Sequence, residues 1–422
     1  MYSSTIRGAV GVIALGAAAL AAPAAAAGDH DGFIYGRVET TSGAEYEGFL
    51  RWGDEECFWD DLFHSLKEDL PHRDMVKWED IDERDWDRKH RRDGERISLF
   101  GREIIIHDDH DDPWDLSRIF IARFGDIERI EVTGDEDADL IMKSGARIAV
   151  SGYANDVGGT VQVDDEAAGR IDLHWERIDT IEFMPAPSGA DPEVWRLHGR
   201  VETDSGEFEG FIQWDKEECI SSDKLDGNTR DGEMSIAMGR IRMIERRGHS
   251  SSNVELKDGR VFRLRDTNDV NRENRGIMVE DERFGRVTIP WEEFDRIVFS
   301  EPQGSGRGYN DYRPLKELRG TVHVVDGDTY RGSIVLDLDE SEGWEMLNGS
   351  YRDIEFNIPL ARVASITPGR RDQSTVVLRN GEELRLEDSA DVGKGNIGVL
   401  IYSGSDDPVY VDWEEVESIE LD

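Results

Sequence analysis

Two imidazoles and four carboxylates occupy six consecutive positions at His107-Asp-Asp-His-Asp-Asp112. Imidazole nitrogen beside carboxylate oxygen suits a divalent cation of intermediate softness, so His107, Asp108, His110 and Asp111 are the candidate metal ligands. A metal-binding protein or a metal-dependent hydrolase is the chemistry they would serve. The same run also reads as a solvated acidic loop, because Pro113 follows at once and no third ligand stands at a defined spacing. A divalent cation is the one cofactor the sequence suggests; otherwise none is expected.

Other routes to catalysis leave no local mark. The sequence has no Gly-x-Ser-x-Gly elbow, phosphate loop or His-Glu-x-x-His helix. With 93 acidic residues, closeness in sequence singles out no acid/base couple, so no catalytic residue is assigned. Binding has a better candidate. Between Cys57 and Phe120 lie 62 residues, against 14 between the corresponding Cys219 and Met234. This insertion, residues 58–117, carries Trp59, Trp78, Trp86 and Trp114 and half of the ten histidines. Aromatic side chains rank high among residues that anchor partners, so the four tryptophans are the expected binding patch. Met75 to Arg92 could form a short amphipathic helix, and Arg96 to Ile106 an extra strand or hairpin.

These residues must be positioned by a repeated frame. Gly36-Arg-Val-Glu-Thr, Gly199-Arg-Val-Glu-Thr and Gly320-Thr-Val-His-Val each open a strand, followed by a glycine turn and a second strand. A further hairpin follows in each copy, around Ser144-Gly145, Asp258-Gly259 and Asn380-Gly381, where the turn needs positive φ. Ten or eleven residues later comes Asp156-Val157, Asp269-Val270 or Asp391-Val392, whose aspartate is expected to form a turn by accepting nearby backbone amides. Six segments close on a three-residue apolar period, from Phe124, Ile127, Ile130 to Trp413, Val416, Ile419. That period predicts a short 3₁₀ turn leading into a strand.

Hairpin, more strand, one helical turn and a closing strand in about 50 residues resembles the Sm-like and SH3-like small β-barrels. Gly199 to Asp215 looks like the opening of an Sm-type unit. The resemblance implies an all-β fold of three tandem repeat domains, each of two small barrel-like halves, with one mixed insertion in the first. RNA binding does not transfer, because the matching loop carries Asp215, Glu217 and Glu218. Boundaries are expected at 28–184, 193–300 and 314–422, separated by Pro-rich and Gly-rich linkers. Cys57 and Cys219 stand at equivalent places; each is expected to face its own core, since a disulfide would require two copies to face each other across a pseudo-two-fold.

Residues 1–27 read as a secretory signal peptide: Arg7, an apolar stretch and an alanine run. No later window is long and apolar enough to span a membrane. The expected location is periplasmic or secreted. A net charge of −43 disfavours nucleic acid and anionic lipid as partners. The 41 arginines against 9 lysines suit forked pairing with carboxylates. The expected function is an exported, non-catalytic binding or scaffold protein for a protein, peptide or glycan of the cell envelope.

Overall fold

The computed structural model describes residues 30–67, 72, 96–99, 102–105, 118–152, 156–302, 304–315, 317–370, 372–404 and 407–422, with backbone alone for 96–99, 102–105 and 118. The expected signal peptide and the expected helix at 75–92 lie outside them. The chain is all-β, 55% strand and 6% helical, and forms two large antiparallel sheets with no closed barrel. No helix among the described residues is long and apolar enough to cross a membrane.

The first sheet uses β1 (Tyr35–Thr40), β2 (Glu45–Trp52), β3 (Leu62–Lys67), β6 (Arg118–Arg123), β7 (Ile127–Val132), β8 (Asp137–Met142), β9 (Arg147–Ser151), β10 (Thr160–Asp165), β11 (Gly169–His174) and β12 (Ile178–Phe183). Between β3 and β6, β4 (Arg96–Leu99) and β5 (Arg102–Ile105) make the hairpin expected in the insertion. The second sheet begins with β13 (His198–Thr203), β14 (Gly206–Gln213), β15 (Lys224–Asn228), β16 (Glu233–Ala237), β17 (Ile241–Arg246), β18 (Ser251–Leu256), β19 (Val261–Arg265), β20 (Ile277–Asp281), β21 (Gly285–Ile289) and β22 (Phe294–Ser300). It continues through β23 (Arg319–Val324), β24 (Thr329–Leu336), β25 (Met346–Tyr351), β26 (Ile354–Pro359), β27 (Val363–Pro368), β28 (Gln373–Leu378), β29 (Glu383–Glu387), β30 (Val399–Tyr402), β31 (Val409–Val411) and β32 (Val416–Leu421).

One pairing order recurs three times. The first stretch runs β11-β10-β2-β1-β12-β7-β8-β9-β3-β6 across its sheet. The second runs β21-β20-β14-β13-β22-β17-β18-β19-β15-β16 in the same sense. The third repeats it from β31 to β26. Pairing of β21 with β26 fuses the second and third stretches into one sheet.

Within a stretch the two sequence halves are interleaved rather than separate. The opening hairpin β1–β2 pairs with β12 and β10 of the second half, while β9 of the second half pairs with β3 of the first. The paired glycines follow from this. Gly36 faces Gly48, Gly199 faces Gly210 and Gly320 faces Gly332. A Cβ on Gly48 would sit 2.0 Å from the Asp164 carbonyl oxygen, and one on Gly210 1.9 Å from that of Glu280. Only glycine lets the crossing strand approach so closely.

The aspartates of the Asp-Val pairs act at longer range than a turn former. The Asp156 carboxylate accepts the His64 amide at 2.6 Å, and Asp391 accepts that of Asn348 at 2.7 Å; Asp269 does the same for Asp226. Each ties the second half to the third strand of the first. The three-spaced apolar residues are all buried, and single 3₁₀ turns stand at Phe124–Asp126, Trp175–Arg177, Met238–Arg240, Leu360–Arg362 and Trp413–Glu415.

The Gly-rich stretch before β23 is docked rather than free. The Gly32 amide donates to the Ser305 hydroxyl at 2.9 Å, and Tyr312 joins the core of the first sheet, its ring flat against Gly125. The cysteines also depart from expectation. They do not face separate cores: their Sγ atoms lie 3.3 Å apart among Phe33, Phe58 and Ile220, where the first and second stretches meet. Both are free thiols. A disulfide donor such as oxidised glutathione, by accepting two electrons and two protons from this pair, is expected to close a Cys57–Cys219 bond. Intact mass should fall by about two hydrogens and stability should rise by ~2–4 kcal/mol. An unchanged mass after refolding with the donor would contradict the placement.

Candidate functional site

His107, Asp108, His110 and Asp111, and Trp78, Trp86 and Trp114, lie outside the described residues. Trp59 does not belong to a surface patch: it is 1% exposed, edge-on to Phe183 at 5.7 Å and tilted against Tyr309 at 4.8 Å. Among the described residues no group of three or more His, Cys, Asp and Glu side chains could hold a metal ion.

What the fold brings together instead is charge at the junction of its three stretches. Arg196, on the approach to β13, lays its guanidinium on Asp60 as a fork of 2.5 and 2.9 Å. Its faces are covered by the rings of Phe58 at 4.0 Å and Phe211 at 4.1 Å. Arg286 on β21 reaches Asp61 at 2.8 Å and Glu280 at 3.3 Å. Arg51 on β2 forks onto Asp223 at 3.0 and 3.1 Å. Lys67, at the end of β3, pairs with Asp339 and with Glu345 at 3.4 Å, joining the first stretch to the third. Asp61, Asp223 and Glu345 hold equivalent places. Each carboxylate also accepts two backbone amides: Cys57 and Phe58, Cys219 and Ile220, Ser341 and Glu342. An acid four residues after each of Cys57, Cys219 and Ser341 is the sequence signal that could have found this clamp.

Beside this junction opens a cleft of about 960 Å³. Arg123 of β6, Arg307 and Tyr312 of the docked segment and Arg362 of the 3₁₀ turn before β27 line it, together with Asp60 and Glu280. Arg123 reaches Glu280 at 3.3 Å. Among the described residues Arg362 donates to the Asp281 and Glu282 carbonyls, at 3.3 and 3.2 Å, and Arg307 to the Asp311 carbonyl at 2.6 Å. Burial, with Arg123 and Arg307 close by, holds Arg362 below the ordinary arginine value, against the pull of Glu280. The arrangement can grip an anionic group with forked donors. Nothing in local spacing announced it, because its members are spread over more than 200 residues of the sequence.

No family model and no curated protein matches the chain. Among solved structures, that of a streptogramin B lyase aligns over 71% of this chain and 94% of its own, at 10% identity and a TM-score of 0.12. A likeness that low carries no argument about fold or function.

Each stretch also sets a glutamate beside its Asp-Val aspartate: Glu56 with Asp156 and Glu218 with Asp269, both buried, and Glu340 with Asp391, half-buried. Desolvation, followed by the neighbouring acids, pushes Glu218 up to about 10 and Asp269 up to about 6. Glu56 and Glu340 are raised well above the ordinary range for the same reasons. These carboxyls bind protons in the folded chain that the unfolded chain has released. Their contribution is complete below the ordinary value of 4.5 and, for Glu218, is lost as pH rises through about 10. Wild-type stability is therefore expected to fall from pH 5 to pH 9. Glu218→Gln should flatten that slope and gain roughly 1–3 kcal/mol at pH 8, while matching wild type near pH 5. Chemical denaturation across this range checks it, and parallel pH profiles for the two proteins would refute it.

Proposed function

We propose that this chain is an exported, non-catalytic binding protein of the cell envelope, periplasmic or secreted. In this reading it consists of three tandem repeat domains, each of two Sm-like or SH3-like halves that have exchanged opening hairpins. Support for the repeat reading comes from the order within each half: hairpin, two further strands, a turn and a closing strand. That layout is what the resemblance implies. Support for binding rests on one observation, the cleft of about 960 Å³ at the meeting of all three stretches, a size suited to a small ligand or a short peptide.

The insertion extends the same function. It leaves β3 directly after Lys67, the residue that joins the first stretch to the third. Its tryptophans Trp78, Trp86 and Trp114 are the proposed anchors for a protein, peptide or glycan partner. Nucleic acid and anionic lipid are disfavoured by the net charge of −43.

The equivalent connection between β15 and β16 is the four residues Thr229–Gly232. Replacing residues 68–117 with that turn is expected to keep the melting temperature within about 3 °C, because the β3–β6 ladder remains. The same variant should lose about tenfold or more in affinity for partners that wild type retains on peptide and glycan arrays. Array binding equal to wild type in a well-folded variant would sink the insertion's role.

A further inference from the structure

The cleft at the junction carries more donor capacity than its own acceptors use. Arg307 and Arg362 form no ion pair with a carboxylate among the described residues; they donate to backbone carbonyls instead. Arg123 is 6% exposed, and its Nε has no hydrogen-bond partner among the described residues. Tyr312 is 4% exposed, and its hydroxyl has none among them either. All four line the same cleft. Burying a polar group without a partner costs about 1–3 kcal/mol, and two such groups side by side mark a place where a ligand would be held.

The pairing of the lining charges points to the ligand's sign. In a chain of net charge −43, seven carboxylates and five arginines line the cleft, but the arginines are unevenly spent on them. Asp60 is taken by the Arg196 fork and Asp61 by Arg286, while Glu280 is shared by Arg123 and Arg286. Repulsion from Arg123 and Arg307 acts on Arg362, and an incoming anion would relieve it.

We propose that this cleft binds a carboxylate, held by Arg307 and Arg362 with the Tyr312 hydroxyl donating a third hydrogen bond. The proposal deepens the binding-protein reading above and rests on it. A carboxylate is favoured over phosphate by the rest of the lining. Glu207, Glu209 and Glu282 also border the cleft, so a multiply charged anion meets more repulsion than a single charge does. The chain itself pairs guanidinium with carboxylate wherever it buries an arginine at this junction. A cleft of about 960 Å³ has room for several residues of peptide ending in a free carboxylate.

Calorimetric titration of the full chain at low ionic strength, with triglycine, triglycine amide and inorganic phosphate, tests the proposal. Triglycine is expected to bind about tenfold or more tightly than its amide, the loss expected for one charge-assisted pair. Arg307→Gln, an exposed position whose change leaves the core intact, should weaken triglycine about tenfold. Tyr312→Phe, which removes only the hydroxyl, should weaken it severalfold. Equal binding of acid and amide, no heat with any probe, or indifference to Arg307→Gln would overturn the proposal; tighter binding of phosphate would overturn the carboxylate assignment. Repeating the titration on the chain lacking residues 68–117 separates the two ideas. Retained array binding by wild type without triglycine binding removes the cleft ligand alone. Triglycine binding by the shortened chain supports the cleft whatever the insertion does.

Discussion

The pairing of buried guanidiniums with buried carboxylates is the constraint on which the arrangement of this molecule depends. Arg196 is held on Asp60 between two phenyl rings, with its side chain 4% exposed. A charge so placed is tolerable only with a partner in good geometry, and removing one member of such a pair typically costs about 3–5 kcal/mol. Arg51 with Asp223 and Arg286 with Asp61 repeat the solution on either side of the touching thiols. Each of these carboxylates sits where it also satisfies backbone amides or a second cation, so ion pairing and strand register support one another. Lysine would present one point charge where arginine presents a fork, which gives a structural use to the excess of arginine over lysine.

Much of the frame was legible locally. Turn glycines at Gly145, Gly259 and Gly381, all with positive φ, and the three-spaced apolar residues are short-range signals that need no knowledge of the partner strand. The pairing of each opening hairpin with strands of the later half was not legible, because a strand such as Arg200-Val-Glu-Thr203 alternates in the same way whichever half it joins. The glycine pairs held a trace of it, since a second glycine opposite the first is needed only when a third strand crosses closely. Trp59 misled for a related reason. Its place in an insertion suggested a surface anchor, but β3 and the residues before it are part of the repeated frame, and the excess begins only at residue 68.

The candidate site was the least legible part. Arg123, Arg307 and Arg362 each sit in an unremarkable charged segment, and only the docking of 304–312 and the fusion of β21 to β26 bring them to one cleft. The acidic composition divides in two. Most of the described carboxylates are exposed, but the first two stretches each bury a glutamate and an aspartate together, so protons become part of the folded structure.

Differential scanning calorimetry of wild type and Asp60→Ala is the most direct test that buried ion pairs bind the three stretches into one body. The account predicts one cooperative transition for wild type. For Asp60→Ala it predicts a destabilisation of about 3–5 kcal/mol, with the first stretch melting apart from the fused second and third. A single transition at an unchanged temperature in Asp60→Ala would contradict it.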